Sequence, residues 1–435
     1  MAGDEWQIRA FGDCATLIRD TVYPAESAKI PYVGLEHIGE GLLSLVGHGV
    51  AEDVTSIKSK FRRGDILFGK LRPYFRKVIR APFDGVCSTD IWVVRAKNGI
   101  DQGFLFYWMA SLDFVNEATR GSEGTKMPRA RWEFVSRIEH AIPPLSQQRA
   151  IAHILGTLDD KIELNRRMNE TLETIARAIF KSWFVDFDPV RAKTEGRDPG
   201  LPKPIADLFP DSFEDSELGE IPRGWEVRSL AEIALFLNGL ALQKYPPTDG
   251  RSLPVIKIAQ LRAGNTSGAD RASADLEPDY VVQDGDILFS WSGSLECMLW
   301  AGGPAALNQH LFKVTSAKYP RWLCYFGIHQ HLDDFRHIAA GKATTMGHIQ
   351  RHHLFDARLS VPSQELLRAM DAVIQPIVES TWRREVQSRT LAAIRDALLP
   401  KLISGELRVK DAERFGDHRV GECALSQRAG RKRSP

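Results

Sequence analysis

Two groups of side chains in the first third of this sequence have the types and spacing to hold an anion. Lys70, Arg72, Tyr74, Arg76 and Lys77 fall within eight residues, and Lys126, Arg129 and Arg131 form a second group beside Gly121 and Gly124. Ammonium and guanidinium groups at this density suit phosphate, and the guanidinium fork also matches the O6/N7 edge of guanine. If the first group lies on an extended run, alternation by two sets Lys70, Arg72 and Arg76 on one face. In the second half the matching stretch is Ser290-Trp291-Ser292-Gly293-Ser294 in place of Gly69-Lys70-Leu71-Arg72-Pro73. Ser290 and Ser292, with Lys342, Thr344, Thr345, His348, Gln350 and Arg351, make the counterpart set. Their hydroxyls and amides suit phosphate or base edges, Gln in particular the N6/N7 edge of adenine. Trp291 is more naturally a packing residue. The bland reading of each basic residue is a solvated surface charge. His348, His352 and His353 invite a metal, but no cysteine or acid stands at ligand spacing.

The whole chain does not announce a polyanion partner: 57 Lys and Arg face 56 Asp and Glu, a formal net charge of +1. Charge is instead segregated. Residues 56–80 hold nine Lys/Arg against the single acid Asp65, and residues 204–220 hold six acids and no base. That is the pattern of a molecule with one surface for phosphate and another without it. No run reaches the ~18 uncharged apolar residues of a membrane helix, and the first residues lack the pattern of a signal peptide. The five cysteines are scattered with no C-x-x-C pair, which argues against a disulfide framework or zinc site and for a reducing cytoplasm.

What positions these groups is a repeat. Gly64-Asp65-Ile66-Leu67-Phe68 recurs as Gly285-Asp286-Ile287-Leu288-Phe289, 221 residues on. Thr125/Thr344, Pro143/Pro362, Arg149/Arg368, Leu172/Leu391 and Ile175/Ile394 keep an offset of 219. A shift of two residues is what surface-loop deletions produce, so the chain is two copies of one plan. Each copy opens with short β-like runs broken by Gly and Pro and ends in a helical stretch. Ser146 and Ser363 are candidate N-caps, and Pro376 should kink the second helix or shorten its first part. Ile151, Leu155, Leu158, Ile162, Leu172, Ala176, Ile179 and Trp183 fall on a heptad seam, with Asn165 and Asn169 as polar seam positions. In the second helix the seam is Met370, Ile374, Ile377, Leu391, Leu398 and Leu402, with Thr381, Arg384 and Ser388 in a polar middle. Paired antiparallel, the polar middles meet. The alternatives are two independent amphipathic helices, or a seam through Met168 with both asparagines in water.

The chain therefore reads as α+β: two mixed α/β domains in internal repeat, each followed by a long helix, the helices pairing as an antiparallel coiled-coil stalk roughly 55 Å long. The expected boundaries are 1–144 and 221–361 for the domains and 145–185 and 362–408 for the helices. The Pro-rich acidic stretch 186–220 should be a connector crossing the surface, and 409–435 a basic, disordered tail. An enzyme reading finds little. Tyr245-Pro246-Pro247-Thr248 and Asp188-Pro189-Val190 do not match the loop an adenine methyltransferase needs, and no Gly-rich cofactor loop joins a strand to a helix. Neither Pro210-Asp211 nor Pro278-Asp279 leads into a nuclease-type Asp/Glu-x-Lys triplet. A protein-binding scaffold is the other rival.

Longer motifs carry a resemblance. Pro143-Pro144-Leu145-Ser146-Gln147-Gln148-Arg149 opens the first helix, and Phe180-Lys181-Ser182-Trp183-Phe184-Val185-Asp186-Phe187-Asp188-Pro189 closes it. Leu218-Gly219-Glu220-Ile221-Pro222-Arg223-Gly224-Trp225 ends the connector, and Leu398-Leu399-Pro400-Lys401-Leu402-Ile403-Ser404-Gly405-Glu406-Leu407 ends the last helix. These resemble the specificity subunits of type I restriction-modification systems over nearly the whole chain. The resemblance implies a non-catalytic subunit whose two target-recognition domains read an asymmetric two-part site in double-stranded DNA. It implies docking of two modification subunits and of restriction subunits, with S-adenosylmethionine, ATP and Mg held by those partners and no cofactor here. The second helix departs from the pattern: it carries Pro376 and lacks a second Pro-Pro-Leu-Ser-Gln-Gln.

Overall fold

The computed structural model describes residues 5–24, 29–124, 126–247, 250–341 and 347–409. Thr125, the segment 342–346 and the basic tail from residue 410 lie outside these. The chain forms two compact units: unit 1 is built from the chain before Leu164 and after Arg389, unit 2 from Leu164–Arg389. No helix among the described residues is long and apolar enough to cross a membrane.

The recurring Gly-Asp-Ile-Leu-Phe motif starts the central strand of each unit. Gly64 and Gly285 sit at φ +89° and +90°, a turn conformation that a side chain resists. The following aspartate closes the turn: Asp65 accepts from the Arg62 amide at 2.8 Å and Asp286 from the Gln283 amide at 2.8 Å. In unit 1, strands β1 (Ala15–Ile18), β2 (Ile66–Gly69), β3 (Val78–Arg80) and β4 (Ile91–Ala96) form an antiparallel sheet in the order β1-β4-β2-β3. In unit 2, β5 (Leu235–Asn238), β6 (Ile287–Ser290), β7 (Cys297–Leu299) and β8 (Leu311–Thr315) repeat it as β5-β8-β6-β7. Alternation along β2 sends Ile66 and Phe68 into one core and Leu67 into another, and β6 divides Ile287 and Phe289 from Leu288 in the same way. Both faces of each sheet are thus covered, which is why these strands read as continuous apolar runs.

Two long helices, Leu145–Phe184 and Gln364–Ser404, contribute to both units. Ser363 caps the second through its hydroxyl, 3.3 Å from the Leu366 amide. Ser146 does not cap the first: that helix begins at Leu145, and the Pro144 carbonyl accepts from the Gln148 amide, so Ser146 lies within the first turn. Nor does Pro376 shorten the second helix, which runs unbroken through it. Proline deprives Ala372 of its helical donor at a cost of about 3 kcal/mol, and burial of Met370, Ile374 and Val378 on either side offsets this.

Within unit 2 the helices run antiparallel. Asn165 Nδ2 donates to Gln387 Oε1 at 2.9 Å and Ser388 Oγ at 3.2 Å; Asn169 Nδ2 donates to the Thr381 carbonyl at 3.0 Å and Glu385 Oε1 at 2.7 Å. Both asparagines are buried and Met168 is exposed, which settles the seam in favour of the polar middle. Within unit 1, Ile151 and Leu155 share a core with Leu399, Leu402 and Ile403.

The stretch 186–220 is not a simple surface crossing. It forms the helices Asp188–Thr194 and Lys203–Ala206 and the first part of a hairpin, Phe213–Ser216 with Gly219–Pro222. Val190, Ile205 and Phe209 are buried in unit 2's core. Apolar residues spaced among the prolines and acids outweigh the polar composition.

Candidate nucleic-acid interface

In unit 1 the two predicted basic groups meet. As the chain leaves β2, the Lys70 amide donates to the Asp90 carbonyl at 2.9 Å and the Lys70 carbonyl accepts from the Ala130 amide at 2.9 Å. The Arg72 amide donates to the Pro128 carbonyl at 2.7 Å. Backbone thus zips residues 70–72 to 128–130 and brings Lys70 and Arg129 to one half-open cleft of about 410 Å³. Arg19, Lys70, Arg129, Arg131, Trp92 and Trp132 are among its lining residues. Arg129 is ion-paired with Asp90 (Nε–Oδ1 3.0 Å) and Arg131 with Glu123 (Nη1–Oε1 2.5 Å), both exposed pairs in which water screens the attraction. Tyr74 and Lys126 are exposed.

Arg76 and Lys77 do not join this cleft. The strand ends at Gly69, and Arg72 and Arg76 take left-handed conformations at φ +50° and +49° around the short turn Pro73–Phe75, so alternation by two does not apply. Arg76 is largely buried, donating from Nε to the Ala110 carbonyl at 2.7 Å and pairing with Asp396 at 3.2 Å. Lys77 donates to the Leu35 carbonyl at 2.8 Å. Both are structural cations. Arg72 is half-buried, and its Nη2 reaches the Lys126 carbonyl at 3.5 Å.

Unit 2 repeats this frame bond for bond. The Trp291 amide donates to the His310 carbonyl, the Ile349 amide to the Trp291 carbonyl and the Gly293 amide to the Gly347 carbonyl. Ser292 pairs with His348 where Leu71 pairs with Arg129. The side chains differ at every contact position: Trp291 for Lys70, Gly293 for Arg72, His348 for Arg129, Gln350 for Arg131. Ser290 is fully buried, donating to the Ser294 carbonyl at 2.7 Å, and cannot reach a ligand. Ser292 is buried against His310 Nδ1 at 3.0 Å. Both serines lie where backbone hydrogen bonding pulls the loop inward. Trp291 donates from Nε1 to Asn238 Oδ1 at 3.0 Å and the Gln309 carbonyl at 3.1 Å. Gln350 and Arg351 are exposed at the start of the helix Arg351–Asp356, and His348 is half-buried beside Trp291. Lys342, Thr344 and Thr345 lie outside the described residues. No group of three or more His, Cys, Asp or Glu among the described residues could hold a metal ion.

Sequence reasoning missed Arg19, Asp90, Asn238 and His310. The repeat could have found two of them, since Asp90 and His310 occupy the same place ahead of paired strands. Arg19 follows β1 with Gly239 at the matching place and leaves no such signal.

The type I restriction modification DNA specificity domain, as a family model, matches residues 3–174 and again 222–380, so the repeat seen in sequence and fold is the family's own unit. The chain belongs to this family. As a specificity subunit it is a non-catalytic, DNA-recognition component of a type I restriction-modification system. It is 26% identical to the type I restriction enzyme HindI specificity subunit of Haemophilus influenzae, over 80% of this chain and 88% of that protein. It is also 26% identical to the MjaIX specificity subunit of Methanocaldococcus jannaschii, over 72% of this chain and 71% of that one. The fold is that of the type I restriction-modification S subunit from M. genitalium, with a TM-score of 0.53 at 15% identity, covering 93% of this chain and 97% of that chain.

Proposed function

We propose that this specificity subunit reads an asymmetric, two-part sequence in double-stranded DNA, one part with each unit, and docks modification and restriction subunits. The observation that carries the reading is the shared frame: the same three backbone hydrogen bonds present Lys70, Arg129 and Arg131 in unit 1 and Trp291, His348 and Gln350 in unit 2. Two readers built alike but armed differently suit two unlike half-sites. In unit 1, Lys70, Arg129 and Arg131, with Arg19, Tyr74 and Lys126, contact phosphate and base edges. In unit 2, His348, Gln350 and Arg351 do so, with Lys342, Thr344 and Thr345 as further contacts. The two long helices dock two modification subunits, which hold S-adenosylmethionine and methylate adenine; ATP and Mg belong to the restriction subunits. The four cysteines among the described residues are free and buried, which agrees with a cytoplasmic setting.

The test is co-expression with a modification subunit in a methylation-free host, followed by mapping of modified adenines. An asymmetric motif with a fixed gap is expected. Soluble, associated proteins that leave the genome unmodified would overturn the reading.

A further inference from the structure

The two units are not equivalent at one buried place. The helices Gln102–Ala110 and Arg321–Ala340 start 219 residues apart, as do the long ones Leu145–Phe184 and Gln364–Ser404, so positions along these helices correspond one to one. In unit 1, Arg395 of the second long helix is 2% exposed and pairs with Asp159 of the first at 2.7 Å. Asp159 also accepts from the Tyr107 hydroxyl at 2.6 Å. The corresponding residues of unit 2 are Ala176, Val378 and Phe326, all buried in one apolar core. There a half-open cavity of about 370 Å³ is lined in part by these three.

We infer that the Arg395–Asp159–Tyr107 network selects which helices pair, admitting the first long helix only to the second and rejecting a second copy of itself. If the first helix of another chain took the second helix's place, its Ala176 would face Asp159. If two second helices paired, Val378 would face Arg395. Either way the Asp159–Arg395 pair is lost: Asp159 keeps only the Tyr107 hydroxyl, and Arg395 keeps only its helix neighbour Asp396, 3.1 Å away. The cation next to Ala176, Arg177, is already held by Glu173 at 2.6 Å. Only the pairing of unlike helices puts Asp159 against Arg395 and Val378 against Ala176. Because both long helices carry apolar residues at matching seam positions, those positions alone discriminate weakly between like and unlike helices. Loss of this ion pair from the seam disfavours the like pairing by about a hundredfold. The inference concerns chain pairing and does not depend on the DNA reading.

The test uses the full chain carrying a protease site in the exposed turn at 196–200, cut after folding. Isotope-labelled and unlabelled pools are unfolded in urea, mixed, refolded and weighed by native mass spectrometry. The wild type should yield pairs of one front and one rear fragment, with front–front pairs below about 1%. Tyr107→Phe/Asp159→Val/Arg395→Ala, which gives unit 1 the residues of unit 2, should raise front–front and rear–rear pairs at least tenfold. Abundant front–front pairs in the wild type, or unchanged exclusivity in the triple variant, would overturn the inference. The uncut chain gives a second readout. Asp159→Val alone should have a lower urea midpoint than Asp159→Val/Arg395→Ala, and equal midpoints would show that an Arg395 left with Asp396 alone carries no penalty.

Discussion

Removing two cations from the unit 1 cleft should change how DNA binding responds to salt, by an amount the geometry fixes. Arg129 and Arg131 already hold Asp90 and Glu123, whereas Arg19 and Lys70 have no such ion pair among the described residues. They are therefore the cleft's uncommitted charges. If each neutralises one phosphate, Arg19→Ala/Lys70→Ala lowers the slope of log K against log[salt] by about 1.8, at about 0.9 per contact. Over a fourfold rise in salt, from about 50 to 200 mM, the gap between wild type and variant then shrinks by roughly tenfold. Fluorescence anisotropy on a duplex carrying the mapped site and on a scrambled duplex measures both slopes. Equal losses on the two duplexes identify phosphate contacts; a loss confined to the mapped site identifies base contacts. Gln350→Ala serves as the neutral comparison and should leave the slope unchanged. A double variant with the wild-type slope on both duplexes would refute the assignment of this cleft to DNA.

Further outcomes concern stability. Asn169→Ala, which deletes the donors to the Thr381 carbonyl and Glu385, should cost about 1–2 kcal/mol in urea unfolding. Gly64→Ala meets open space but forces a side chain onto φ +89°, so about 1–2 kcal/mol should be lost from backbone strain alone. Burial holds the His329 imidazole down to about 4, with neighbouring Arg177 adding to the effect. The unfolded chain binds this proton below about 6.5 while the folded one refuses it, so stability falls as pH drops from about 6.5 toward 4, by up to roughly 3 kcal/mol. His329→Gln should flatten that part of the profile, and an unchanged profile in thermal melts would remove His329 as its source.

Features that repeat or alternate were legible in the sequence. The Gly-Asp-Ile-Leu-Phe motif marks a positive-φ turn, a capping aspartate and a strand buried on both faces, each a local consequence of residue type. The heptad spacing and the polar seam at Asn165 and Asn169 follow from helix period. Legibility failed where tertiary contacts overrule local pattern. Lys70–Lys77 looks like an alternating strand, yet the ladder stops at Gly69 and two arginines take left-handed turns, so Arg76 and Lys77 point inward. Arg395 falls in a heptad slot between Leu391 and Leu398 and was passed over, because a charge there reads as solvated unless its partner, Asp159, is known. Ser290 resembled a contact residue because hydroxyls are at home both on surfaces and, hydrogen-bonded, inside. The apolar residues of 186–220 were hidden by the prolines and acids around them.

The interleaving of the units has a consequence for synthesis. Unit 2 is one continuous stretch, Leu164–Arg389, and can close as soon as it clears the ribosome. Unit 1 cannot: its core awaits Leu399, Leu402 and Ile403 from the far end of the chain. At about 5–20 residues per second, the front of the chain waits roughly 10–45 s with Ile151 and Leu155 lacking the cover that the last helix gives them. The earlier-made unit is thus completed last. A ribosome stalling inside unit 2 releases a nascent chain with an open apolar stripe, a natural target for holdase chaperones.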